Sequence, residues 1–257
     1  VESIESFLPY RNEAVEVFLT VAKYNATLEG YQGIHRFLER LLPYEFWPSG
    51  VSSWTRWNAD NFRFIVHELF LYAIAAMLKY ERFEGVKELL EQDYFFPAGS
   101  PDVQTGMVRF TLFRHYLNSL EHRNSRLKLR RLSLCADFLN KRANLTEIRF
   151  DDVMQADFII FLHADLSPVD EKSTNDRWWP ETLLYADRHP GPFEIFARAQ
   201  SSRYFAKLKT ALGVSKKTDL EELLTRYSKQ ELKVSRWDFD SFNPARLMGI
   251  NRLDSRP

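Results

Sequence analysis

Glycine is scarce in this chain, 9 in 257 residues, and the scarcity removes several protein classes at once. Loops that cradle phosphates through closely spaced glycines are missing: neither a P-loop nor a dinucleotide fingerprint occurs. Turn-dense β architectures draw on the same residue and are disfavoured too. The single cysteine, Cys135, cannot form an internal disulfide and fits a reducing, cytoplasmic setting. It lies in LSLCADFL, an apolar helical context, whereas a reactive thiol needs an electropositive, accessible one. Net charge is zero, from 35 basic and 35 acidic residues, so no bulk field draws the chain to nucleic acid or membrane. The chain opens at Val1 without an initiator Met, a basic leader or an apolar signal segment. A fragment of a longer polypeptide is expected, with a processed product as the alternative. Catalytic chemistry then belongs to the missing part.

Long apolar runs are confined to Asn61–Tyr80, NFRFIVHELFLYAIAAMLKY. A membrane span needs about 20 apolar residues with few charges. Here Arg63, His67 and Glu68 interrupt the run and Lys79 closes it. Apolar on nearly every side, the run predicts a buried central helix, with Asn58 or Asp60 as its N-cap and no membrane partner.

Aromatic content is high, with 21 phenylalanines, and it favours a packed core. Helical periodicity marks Arg11–Tyr24 with Asn12 as a cap, Gly33–Leu42, Phe83–Glu91, Val103–Leu120, Leu127–Leu139 and Phe193–Leu212. Gly213 is the expected C-cap of the last of these. A capping box, Thr218 to Glu221, opens a further helix over Leu220–Tyr227. Leu145–Phe150 reads as a short strand. Asp152–Leu166, with Asp151 as its cap, is a helix, although FIIFL alone also suits a buried strand. Pro180 opens a short helix in WWPETLLYA.

The loop Tyr44–Trp57 carries Tyr44, Phe46, Trp47, Trp54 and Trp57, to be packed on the central helix or offered to a partner. Tyr94–Asp102 is a turn-rich connector. Trp237, Phe239 and Phe242 anchor an irregular C-terminus. The fold class expected is all-α, a multi-helix bundle around the 61–80 helix, with one short β element near 145–150. One domain over 1–257 is expected, with 1–143 and 144–257 as the subdivision if there is one.

Chemistry-bearing residues are sparse. His67-Glu68 lacks the second histidine of a zinc-protease helix, since that position is Leu71. His163-x-Asp165, with Asp170 and His189 farther on, lacks metal-ligand spacing, and no metal or cofactor is expected. The strongest polar signal is Arg123, Arg126, Lys128, Arg130 and Arg131 among leucines. If one helix carries them, Arg123, Arg126 and Arg130 share a face suited to phosphate, nucleic acid or an acidic surface. Arg177 with Trp178 and Trp179, beside the polar loop 167–178, suits a planar or phosphorylated ligand by charge and stacking. A tryptophan pair sealing the core is the structural alternative.

Two resemblances bear on function. Arg109 and His115, in RFTLFRH, resemble the Arg-x(4–6)-His spacing of HEPN-type ribonucleases. This implies a dimeric, metal-independent RNA-cleaving helical domain, although Phe110 stands where that family usually has a polar residue. More broadly, FIVHELFLYAIAAMLKYERF, RLKLRRLSLCADFL, MQADFIIFL and WWPETLLYA resemble helical regions that follow TIR-like modules in bacterial defence proteins. That similarity implies a non-catalytic regulatory, ligand-sensing or oligomerisation domain covalently joined to an effector domain. Its partners would be copies of itself or a nucleotide or nucleic-acid ligand. A nucleic-acid-binding scaffold is the remaining alternative.

Overall fold

The computed structural model describes residues 1–45, 55–96, 106–167, 177–189, 191–238 and 240–257. Phe46, Trp47, Trp54, residues 97–102 of the expected connector, Asp170 with the rest of 168–176, and Phe239 lie outside the described residues. The fold is an all-α bundle with short β elements.

Its centre is α4 (Asp60–Lys79), in which every residue from Phe64 to Leu78 is buried. A helix with no polar face has to be surrounded, and five helices do this: α1 (Glu2–Ser6), α2 (Leu8–Tyr24), α3 (Leu28–Glu39), α5 (Phe83–Glu91) and α8 (Phe150–Leu166). With its preceding 3-10 turn, α4 is long and apolar enough to cross a bilayer, yet 83% of its most apolar window is buried within the fold. Its N-cap is Ala59, in place of the expected Asn58 or Asp60. Asp60 instead caps a neighbour: its Oδ2 accepts from the Ser119 amide at 2.7 Å, at the start of α6 (Asn118–Arg126).

The second buried rod is α8 (Phe150–Leu166), which follows α7 (Leu134–Arg142) and packs along α4. FIIFL is therefore helical, with Phe158 to Leu162 wholly buried. The strand expected near 145–150 is absent: Asn144 has φ +62°, and its side chain accepts from the Phe150 amide at 3.1 Å. The segment is a turn that starts α8, and Asp152 rather than Asp151 caps it, accepting from the Arg149 amide at 2.8 Å.

The β structure lies elsewhere. β1 (Tyr94–Phe96) pairs antiparallel with β2 (Gly106–Val108), Phe95 opposite Met107. β3 (Arg236–Trp237) pairs with β4 (Asp240–Ser241). Of the helix expected over 103–120, residues 103–105 lie outside the described residues, and 106–120 form β2, a 3-10 turn at Phe110–Phe113 and the first turn of α6 instead. Aromatic packing overrides periodicity here, because Phe110 and Phe113 both stack on Phe70, with centroids 6.3 and 4.5 Å away.

The remaining helices are α9 (Glu194–Arg198), α10 (Ser202–Leu212), α11 (Lys217–Ser228) and α12 (Pro244–Met248). The single helix expected over 193–212 is broken between α9 and α10. The C-terminal segment takes the freed backbone groups: Asp254 N donates to Ala199 O at 2.9 Å, and Ser202 N to Arg256 O at 2.7 Å. Gly213, at φ +68°, ends α10 as expected. At α11 the N-cap is Lys216, two residues before the expected Thr218, and Asp219 in the first turn accepts from the Ser215 and Lys216 amides.

One hydrophobic core runs from Ile4 to Leu253, across the subdivision considered at 143–144. Its tightness is measurable at Gly85, where an added Cβ would lie 2.8 Å from Tyr31 and 2.9 Å from the Met77 sulfur. Gly85→Ala is expected to cost about 1–3 kcal/mol in urea unfolding, because both neighbours are themselves packed. An unchanged midpoint would show that Tyr31 yields freely.

Candidate ligand-binding clefts

Two open clefts meet on the surface formed by the turn after α6, the 3-10 turn Glu181–Arg188 and the β3–β4 pair. The first, about 510 Å³, is lined by Arg130, Arg131, Leu132 and Trp237 together with the acids Asp137 and Asp187. The second, about 850 Å³, lies between Arg177, Trp179 and Tyr227 on one side and Lys233 to Arg236 on the other. Ser241 lines both. Trp179 of the second cleft meets Trp237 of the first edge-to-face, centroids 5.5 Å apart. Both volumes suit a small-molecule ligand.

Each wall has a local cause. Beyond the last turn of α6 the chain takes left-handed conformations at Lys128 (φ +51°) and Arg130 (φ +54°). The Asn124 side chain closes the turn, donating to Arg131 O at 2.7 Å and accepting from Arg131 N at 3.1 Å. The basic residues therefore do not share one helical face as expected. Arg123 and Arg126 belong to α6, whereas Arg130 and Arg131 follow it in the turn and line the cleft. Arg131 is engaged bidentately by Asp137, at 2.6 and 2.9 Å. Arg130 forms no ion pair with another described residue.

The Arg177-Trp178-Trp179 group is split by burial. Trp178 is 1% exposed; its indole donates to Asp157 Oδ1 at 2.6 Å and its ring stacks on His67 at 5.4 Å. Asp157 also accepts from the Thr182 amide and hydroxyl, at 2.9 and 2.7 Å. This residue seals the core. Arg177 forms a bidentate pair with Asp165, at 3.0 and 2.6 Å, and Tyr227 donates to the same carboxylate at 2.7 Å. Of the two tryptophans, Trp179 is the exposed one at the cleft.

Three contributors were not singled out as ligand groups by sequence: Lys233, Arg236 and Trp237. Lys233 and Arg236 are exposed and form no ion pair with other described residues. The available signal was KVSRW itself, cations interleaved with an aromatic.

Arg109 and His115 share no described contact. Arg109 lies over the Phe110 ring at 5.5 Å, and His115 Nε2 bonds the buried Glu45 carboxylate at 2.7 Å. Arg114, between them in sequence, pairs with Glu181 and donates to the Trp179 carbonyl at 3.2 Å. His67, His163 and His189 each bond a backbone carbonyl, and no group of three metal-ligating side chains converges among the described residues. Cys135 is buried, and burial pushes its thiol well above the ordinary range. Comparison of the chain with family models, curated proteins and solved structures finds no match.

Proposed function

We propose that this chain is a non-catalytic ligand-sensing module, and that the adjoining clefts take a small ligand with a planar ring and a phosphate, of the nucleotide class. The observation that carries this is Arg130 in the first cleft and Lys233, Arg236 and the exposed Trp179 in the adjoining second, none of the three cations being held by an acid among the described residues. Free guanidinium and ammonium groups recognise phosphate oxygens, and an indole offers a stacking surface to a base. The similarity to helical regions that follow TIR-like modules supports a setting beside an effector domain of a bacterial defence protein, where binding would regulate that partner.

Titration with adenosine triphosphate, followed by tryptophan fluorescence, is the first test. A saturable change is expected, lost in Trp179→Phe. Lys233→Ala combined with Arg236→Ala is expected to weaken binding by about tenfold or more, the equivalent of one charge-assisted contact. A flat titration, or binding indifferent to the double variant, refutes the assignment. RNA added in parallel is expected to stay intact. Cleavage that disappears in His115→Ala would put the ribonuclease in its place.

A further inference from the structure

Two surfaces, one bordering the first cleft and one away from both clefts, remain exposed although each carries large apolar side chains. The first is the turn 126–132, RLKLRRL, where Leu127, Leu129 and Leu132 are each 41–43% exposed. It holds Arg126, Lys128 and Arg130 without ion pairs to other described residues, and no acid occurs between Glu121 and Asp137. The second is the outward side of α2. Tyr10, Val17 and Tyr24 are 67, 57 and 83% exposed, spaced seven apart so that they align on one side of the helix. Glu13 and Glu16 lie between them and form no ion pair with other described residues. The basic residues of α2 do not neutralise this side: Arg11 is buried, and Lys23 is paired with Glu147.

We infer that copies of this chain join head to tail, the turn 126–132 of one seating on the Tyr10–Tyr24 side of α2 in the next. The argument for a second copy is complementarity in charge and in apolar surface together. A chain of zero net charge has gathered free cations around exposed leucines in one place and free carboxylates around exposed aromatics in another. The turn is also held in shape before any partner arrives. The Asn124–Arg131 bonds and the Arg131–Asp137 pair fix it, so little ordering entropy is lost on docking. An anionic membrane would accept the turn but repel the carboxylates of α2. The two patches differ, so the contact is heterologous, and it extends unless the rotation between copies closes a ring. Arg130 and Leu132 of the turn border the first cleft, whereas the charge-reversal positions Arg126, Lys128, Glu13 and Glu16 line neither cleft.

The test is mass by light scattering over a concentration series of the 257-residue chain at low salt, where opposite charges are least screened. The parent is expected to grow in mass with concentration and to shrink on adding salt. Arg126→Glu with Lys128→Glu, and separately Glu13→Lys with Glu16→Lys, are each expected to remain monomeric with unchanged circular dichroism. Each double variant alone brings like charges together at the turn–α2 junction, whereas in an equimolar mixture both junctions between unlike variants join opposite charges, one in the parent order and one reversed. The mixture is therefore expected to associate, with the two variants alternating along the chain, where neither does so alone. The decisive sample is the quadruple variant, which carries both reversals and is expected to regain association. A parent that stays monomeric, or a quadruple variant that does not recover while both doubles are lost, overturns the inference. So does binding of the monomeric parent to phosphatidylserine vesicles through Arg126 and Lys128, which would assign the turn to lipid.

Discussion

Glu68→Ala is expected to lower folding stability by about 3–5 kcal/mol, enough to unfold a domain of ordinary stability at moderate temperature. Glu68 is the single carboxylate between two arginines, and all three side chains are fully buried. Arg142 donates to it from Nε at 3.0 Å and from Nη2 at 2.8 Å, and Arg142 Nη1 reaches the Ile4 carbonyl at 3.1 Å. Arg11 Nε lies 3.6 Å from the same carboxylate, and its guanidinium stands over the Tyr72 ring at 4.7 Å. Two cations against one anion leave a surplus, which the half-buried Glu5 offsets from 3.6 Å. Arg11 already has Nε and Nη1 without a hydrogen-bond acceptor. Removing Glu68 would strand both guanidinium groups in the core and loosen α1, α2, α4 and α7 together. Glu68→Gln keeps the shape and removes the charge, so it is expected to fall nearly as far in urea unfolding. Replacing all three residues with apolar ones of similar volume is expected to cost far less, since desolvation then disappears with the charges. A mild loss in Glu68→Ala, below about 1 kcal/mol, would show that water reaches the arginines.

That network illustrates what a single sequence conceals. The central helix was legible because its apolar residues run all the way round, and α5 was legible from its amphipathic spacing and sharp ends. Arg11 read only as the first residue of a helical segment, and Glu68 as an interruption of an apolar run. Their partner, Arg142, is 74 residues from Glu68, and nothing local announces the pairing. The errors elsewhere share one cause. Periodicity over 103–120 and 127–139 is real, yet Phe110 and Phe113 gain more by stacking on Phe70 than a continuous helix would give them. In the same way, Asn124 closes the turn that prevents a second basic helix.

The candidate clefts were half legible. Clustered arginines and adjacent tryptophans stood out by composition, and two of those groups do border the same surface. Trp178 and Trp179 are neighbours in sequence with opposite fates, which depend on a carboxylate 21 residues away from Trp178. Lys233 and Arg236 left only the weak trace of KVSRW, and nothing in that irregular segment ties it to a cleft until β3 and β4 pair.

Between pH 6.5 and pH 4, Asp157→Asn is expected to lose about 3 kcal/mol more stability than the parent chain. Burial pushes the Asp157 carboxyl up from 3.8 to about 6, against the pull of its Trp178 and Thr182 donors. In that interval the folded chain holds a proton that the unfolded chain has released. Asp157 therefore weakens the fold as pH rises from about 4 to 6 and returns that stability on acidification. His163 acts in the opposite sense. Burial lowers it from 6.5 to about 4, so the unfolded chain takes up a proton first and stability is lost as pH falls through the same interval. Each effect spans a little over two pH units at about 1.4 kcal/mol per unit, and in the parent they nearly cancel. His67, which burial also holds well below its ordinary value, adds a further loss on acidification. Asparagine cannot protonate, so the variant keeps both histidine losses without the compensating gain. It also starts lower at neutral pH if Trp178 or Thr182 is left without an acceptor, and the comparison is therefore one of slopes. Urea midpoints taken across the pH series would give that difference, and parallel curves for variant and parent would show that Asp157 stays ionised throughout.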